Sequence, residues 1–203
     1  MSLAALLRRA DLWRGDAAAP PPLPGVPTGF DALDACLPGG GWPAGALTEI
    51  LSEGEGAALR LALPSLARLS REGKWLVWVA PPYIPYAPAL AAARVRLEQM
   101  LVVTPGNDGD ALWAAEQALR ARGHGAVLIW LPKAHPRALR RLQLAAEAGE
   151  GVGLVFRPER ARAESSPAAL RLRVEALPDG RLNVHVVKSR GGWGMPSLTL
   201  SAG

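Results

Sequence analysis

One cysteine, Cys36, is all the chain contains, and a single thiol excludes both an internal disulfide framework and a cysteine-based zinc site, which need several sulfurs. A reducing cytoplasm is the expected setting. Histidine is nearly as scarce: His124, His135 and His185 are the three present, too scattered to form a metal site or to activate a nucleophile, and they are expected to be structural. No Ser, nor Cys36, carries a local catalytic signature. No apolar run approaches the length of a membrane span. The stretch from Met1 to Asp16 is broken by Arg8, Arg9, Asp11 and Arg14, where a signal peptide requires an uninterrupted apolar core. No low-complexity block is long enough to separate a second domain.

What is present is a chain of 203 residues, 49% of them hydrophobic, enough for one domain with a sizeable core. Leu3, Leu6, Leu7, Ala10, Leu12 and Trp13 recur at helical spacing and predict a short amphipathic helix, followed by a Pro-rich tether over Ala17 to Pro27. Residues 1–27 are thus read as helix and tether, and 28–203 as the domain. The formal net charge of +5 is carried mostly by arginine and permits an acidic partner such as nucleic acid. The same Arg-rich, Ala-rich composition also follows from a GC-rich genome.

Apolar runs of strand length stand at Leu47–Leu51, Trp75–Val79, Met100–Val103, Ala126–Leu131 and Val152–Phe156. They alternate with helical patterns near Ala57–Arg71, Ala87–Leu97, Asp110–Arg122 and Pro136–Ala148. Strands apolar on both faces and separated by helices predict an α/β fold, with a mostly parallel sheet covered on both sides. Pro64 predicts a kink or break in the first of these helices. Beyond Arg157 the pattern becomes alternating strands, Leu170–Leu177 and Leu182–Lys188, joined at Pro178-Asp179-Gly180, which predicts an antiparallel end. Leu198 and Leu200 suit a last edge strand.

The string from Thr28 to Ile50 carries Thr28-Gly29, then Leu33-Asp34, the turn Gly39-Gly40-Gly41, and Gly45-Ala46-Leu47-Thr48-Glu49-Ile50. It resembles the entry to the nucleotide site of the RecA superfamily. In that superfamily the strand runs into a phosphate loop, G-x-x-x-x-G-K-[ST], whose backbone amides cradle phosphate while Lys meets the terminal phosphates and the hydroxyl holds magnesium. Here the stretch is Ser52-Glu53-Gly54-Glu55-Gly56-Ala57-Ala58-Leu59. Ala58 and Leu59, or Ala57 and Ala58 if one residue is deleted, stand where Lys and Ser/Thr would be, and two carboxylates, Glu53 and Glu55, face the phosphate position. Pro81 stands where the resemblance implies a water-activating Glu, and a proline is no base. Leu131-Pro132 replaces a metal-associated Asp, and Arg157-Pro158 a polar sensor. The resemblance thus implies a RecA-like mostly parallel sheet flanked by helices, with antiparallel C-terminal strands and a degenerate nucleotide site. No catalytic residue, cofactor or metal is expected.

With the second half included, Trp75-Leu76-Val77-Trp78-Val79-Ala80-Pro81-Pro82, Val127-Leu128-Ile129-Trp130-Leu131, Gly153-Leu154-Val155-Phe156-Arg157-Pro158 and the N-terminal Asp11-Leu12-Trp13-Arg14-Gly15, nearly the whole chain is similar to the ImuA family of translesion-synthesis accessory proteins. That resemblance implies a noncatalytic part of a damage-induced mutagenesis complex working beside ImuB, an error-prone DnaE-type polymerase, the β clamp and RecA. The second half also resembles the SulA family, which implies FtsZ as partner.

Three groups are candidates for DNA or partner binding. Arg157, Arg160 and Arg162 match the loop that in RecA contacts single-stranded DNA, with Glu159 and Glu164 opposing them; a solvated loop of mixed charge is the alternative. Arg137, Arg140 and Arg141 lie three and four residues apart on one helix face, able to track the phosphates of single- or double-stranded DNA or to form an ordinary solvent face. Lys188 and Arg190 match the basic pair that reaches a neighbour's nucleotide in RecA filaments. Among the tryptophans, Trp75, Trp78 and Trp130 are expected in the core, Trp42 as a packing residue with a polar tip, and Trp193 as accessible.

Overall fold

The computed structural model describes residues 23–190 and 197–201. The helix expected over Leu3–Trp13 and the loop at Trp193 lie outside the described residues. The described residues open with a small antiparallel pair, β1 (Gly25–Val26) and β2 (Trp42–Pro43), that brackets the one-turn helix α1 (Asp31–Asp34). The main sheet then forms from β3 (Ala46–Ser52), β4 (Trp75–Val79), β5 (Met100–Val103), β6 (His124–Trp130), β7 (Val152–Pro158), β8 (Leu170–Ala176), β9 (Leu182–Ser189) and β10 (Leu198–Leu200). Its order is β10-β9-β8-β3-β7-β6-β4-β5. All pairings from β8 through β5 are parallel, and β9 and β10 add antiparallel. The expected α/β class and antiparallel C-terminal end are both observed, with β8 doubling as a parallel neighbour of β3.

The connecting helices are α2 (Glu55–Arg71), α3 (Ala87–Ala92), α4 (Asp108–Arg120) and α5 (Pro136–Gly149). Alternate residues of each strand point to opposite faces, so each face has its own core. Ile50, Trp78, Leu128, Leu154 and Leu172 pack against Leu61, Leu66 and other α2 residues on one face. Leu47, Val77, Ile129 and Val155 pack against α4 and α5 through Leu119, Leu139 and Leu142 on the other. Across three strands of the α2 face, Trp130 stacks on Phe156 with centroids 4.7 Å apart and meets Trp78 at 5.3 Å. Trp42 is fully buried beside them, with its indole N–H donating to Ser65 Oγ at 3.0 Å.

Three local expectations change. Helix α2 runs unbroken through Pro64; a proline ring removes one intrahelical bond, and here it packs so closely on Gly29 that a Cβ there would lie 2.4 Å from Pro64 Cβ. Helix α3 stops at Ala92, because Arg94 turns left-handed (φ +64) and the Val95 amide folds back onto the Leu90 carbonyl. Trp75 is not core: as the first residue of β4 it precedes the helix-covered part of the strand and stays 48% exposed.

Candidate binding clefts

At the carboxyl end of β3 the chain has only Glu53 and Gly54 before α2 begins. Gly54 is an extended N-cap without a side-chain cap, Ser52 Oγ bonds the Gly54 carbonyl, and Ala58 is buried. A Cβ added at Gly54 or Gly56 would meet nothing within 4 Å. This turn borders a cleft of about 470 Å³ lined by Glu53, Gly54, Gly56, Ala57, Val174, Glu175, Ala176 and Leu177. No cation is among those residues. Glu175 pairs with Arg173, which also pairs with Glu159. A carboxylate-lined mouth repels a phosphate chain. At the ends of the neighbouring strands, Ala80 (φ +54) leads into Pro81, and Trp130 into Leu131 and Pro132.

Beneath the opposite face lies an ion cluster unforeseen from the sequence. Residues 49, 157 and 171 share one face of adjacent strands; Glu49 stands directly across from Arg171, and Arg157 across from Leu51. Glu49 Oε2 accepts from Arg171 Nε at 2.5 Å and Oε1 from Arg157 at 3.3 Å, while Arg157 also donates to Glu164 at 2.8 Å. The Arg171 guanidinium further donates to the carbonyls of Ala161 at 2.8 Å and Glu164 at 3.0 Å. These bonds pin the segment after β7, with its 3-10 turn Glu159–Ala163, over β3 and β8. The candidate role of Arg157 is corrected accordingly: its side chain is 1% exposed and held by two carboxylates, so it cannot reach a phosphate. Glu159 and Glu164, expected to offset the loop's charge, are themselves paired with Arg173 and Arg157. Arg160 and Arg162 remain exposed.

The other candidates divide. Arg141 leaves its helix neighbours to pair with Glu116 on α4. Arg137 is exposed in the first turn of α5, where its amide donates to His135 Nδ1 at 3.3 Å. Arg140 meets Lys188 and Arg190 in a cleft of about 370 Å³ between α5 and the β8–β9 end of the sheet, lined also by Gln143, Glu147 and Pro167 to Ala169. Gln143 fixes the helix wall. Its Oε1 accepts from the Leu47 amide at 3.0 Å, and its Nε2 donates to Glu147 at 3.1 Å. Lys188 Nζ donates to the Ser166 carbonyl at 2.8 Å. Partial burial, with repulsion from Arg171, holds its ammonium below the usual lysine range. Three cations against one carboxylate make this cleft net positive, and neither Arg140 nor Arg190 has an ion-pair partner among the described residues. The sequence carried each cation as a candidate, but only the crossing of β8 and β9 past β3 brings them together.

Among the described residues no group of three His, Cys, Asp or Glu could hold a metal ion, and no helix is long and apolar enough to cross a membrane. His124 is buried against the β6 start, His135 accepts at the α5 N-terminus, and His185 lies 3.5 Å from Ser197 Oγ.

The family model for the cell division inhibitor SulA matches residues 45–153. A SulA of Edwardsiella piscicida is 34% identical over 102 residues, 50% of this chain and 61% of that protein. A SulA of Serratia marcescens is 28% identical over 57% of this chain and 70% of its own length. The protein ImuA of Caulobacter vibrioides is 30% identical over 84% of this chain and 81% of its own length. The SulA match takes in the parallel core from β3 to the start of β7, and the ImuA match reaches well past it. By both matches, the chain belongs to the family of SulA and ImuA proteins.

Proposed function

We propose that this chain is a noncatalytic, RecA-like accessory protein of SOS-induced translesion DNA synthesis. In that role it works with an ImuB, an error-prone DnaE-type polymerase and RecA, and holds DNA through its basic cleft. The reading rests chiefly on the length of the ImuA likeness, which covers 84% of the chain. Lys188 and Arg190, one wall of the cleft, lie beyond the SulA-matched residues 45–153. The β3–α2 turn supports a noncatalytic role: it offers carboxylates where a nucleotide needs a lysine and a hydroxyl.

The test is fluorescence anisotropy of labelled single- and double-stranded DNA across a salt series. Three phosphate contacts on a single strand predict that affinity falls about twentyfold when salt rises fourfold. Replacing Arg140, Lys188 and Arg190 with Ala should remove most of that dependence, while Arg141→Ala, whose charge is occupied by Glu116, should change little. DNA binding unaffected by the triple substitution would move the site elsewhere. Absence of DNA binding together with capture of FtsZ would replace this reading with a SulA-like division inhibitor, which the 45–153 match favours. Absence of both with capture of RecA would leave a protein scaffold.

A further inference from the structure

The geometry points to a slot for one unpaired DNA strand in the basic cleft between α5 and β9, gripped by its sugar-phosphate backbone alone, closed to duplex, and limited in affinity by Glu147. Resting on the nucleic-acid reading above, this narrows the ligand from DNA in general to a single strand. The cations stand on two walls. Arg140 comes from α5, while Lys188 and Arg190 lie two residues apart along β9 and its extension, where the Arg190 amide donates to the Ala169 carbonyl at 2.8 Å. The space between them, about 370 Å³, admits a short length of backbone but not a rod whose major groove alone is ~12 Å wide. A duplex can meet only the rim. It then loses Lys188, which is tied back to the Ser166 carbonyl at 2.8 Å and partly buried. Bare electrostatic attraction works the other way: duplex carries twice the axial charge density of one strand, so an open basic face favours duplex.

Within the cleft nothing is left to read bases. Glutamine is the side chain that pairs with an adenine edge, but Gln143 is 3% exposed and engaged at both ends, by the Leu47 amide and by Glu147. The described lining holds no aromatic ring on which a base could stack. Affinity therefore comes from phosphate meeting cation, and base sequence has no partner to act on. Arg140, Gln143 and Glu147 follow one another at i, i+3 and i+7, on one face of α5. Gln143 donates to Glu147 at 3.1 Å and so fixes the one anion of the lining on the same wall as Arg140. An exposed carboxylate held there opposes the phosphates that the three cations attract.

The experiment is a competition read by fluorescence anisotropy. Labelled oligothymidine is bound to the full chain, and unlabelled mixed-sequence single strand or blunt duplex of equal length is added. Losing the Lys188 contact near 0.1 M salt costs about fivefold, so duplex is expected to compete at least that much more weakly, while the mixed-sequence strand matches oligothymidine. Glu147→Gln keeps the bond from Gln143 and removes the charge. It should tighten the single strand about two- to fivefold, the scale of one exposed charge interaction, and leave duplex nearly unchanged. Glu98→Gln, the same charge change beside β5 and outside the cleft lining, should tighten neither. Duplex that competes as well as single strand, with binding still lost in the Arg140, Lys188 and Arg190 triple alanine chain, overturns the slot and leaves the cleft a DNA site. A strong preference among single-strand sequences overturns readout by backbone alone, and a Glu147→Gln chain that binds no tighter overturns the role of Glu147. Absence of any DNA binding removes the nucleic-acid reading and the slot together.

Discussion

Arg171 and Glu49 form a buried ion pair straight across the β8–β3 ladder, Nε to Oε2 at 2.5 Å, with both side chains at most 6% exposed. Burial strips water from both ions, so the pair persists because each is bonded several times over. Removing one partner leaves the others charged and dry, a loss of about 3–5 kcal/mol. Glu49→Ala is the severe case, since it strands two guanidinium groups. It should lower unfolding free energy in urea by at least that much, and proteolysis should show the segment after β7 released first. A coupled Glu49→Leu, Arg171→Met, Arg157→Met replacement should regain most of the loss.

His124 predicts a pH dependence. Its Nδ1 lies 2.6 Å from the Ala121 carbonyl, which only accepts, so Nδ1 carries the proton. Nε2 is buried with no partner among the described residues, and a Cβ at Gly151 would lie 2.2 Å from it. Burial pulls the ring's pKa below its ordinary 6.5, against a smaller opposite effect of the Ala121 bond. A depressed histidine pKa means that the unfolded chain takes up the proton first. Stability contributed by the neutral ring is therefore full above pH 6.5 and is lost as pH falls below it, at up to about 1.4 kcal/mol per pH unit until the folded state titrates. Urea titrations at pH 7.5 and 5.5 should show a loss that is smaller in His124→Asn, and the Nδ1–H tautomer should persist in NMR spectra below pH 6.5.

The Thr28-Gly29 string that carries much of the sequence resemblance has a structural cause. Thr28 is buried, its amide donates to Asp34 Oδ1 at 2.9 Å, and its hydroxyl accepts from the Phe30 amide at 3.1 Å. Gly29 sits at φ +92 against Pro64. Gly29→Ala combines a left-handed alanine with a clash and should destabilise by more than about 1 kcal/mol. Gly73→Ala, also left-handed (φ +76) but with nothing within 4 Å, should cost less; chemical denaturation of the pair separates strain from crowding.

The parallel core was legible because its strands are buried on both faces and read as unbroken apolar runs; β4 and β5 begin and end where the runs do. What the sequence hid depends on long-range crossings. Arg157 looks like a loop cation until the β7–β3 register sets it across from Leu51, on the same face as Glu49 and within bonding reach of it. Arg140 and Lys188 carry no sign of their meeting, since one lies on a helix after β6 and the other on a strand that returns past β3. The charged positions in Leu47-Thr48-Glu49-Ile50-Leu51 and Leu170-Arg171-Leu172-Arg173 were a readable hint. A charge alternating with buried residues inside a strand implies a partner on the next strand.

The β3–α2 turn yields the last prediction, which separates a degenerate nucleotide site from a working one. In a phosphate loop the glycines let backbone amides close on the ligand, so adding a methyl group there costs binding. Here Gly56 stands in the first turn of α2, exposed, with nothing within 4 Å of an added Cβ. Gly56→Ala should therefore stabilise the protein by about 0.5–1 kcal/mol, the usual helical difference between the two residues. It should leave DNA and RecA binding unchanged. Magnesium-ATP at a hundredfold excess over a typical dissociation constant would add about 2.7 kcal/mol to a nucleotide-binding protein. Differential scanning fluorimetry with millimolar Mg-ATP should show no such gain in wild type or variant. A rise in unfolding temperature with ATP that Gly56→Ala abolishes would restore a nucleotide to this turn, despite Glu53 and Glu175 at its mouth.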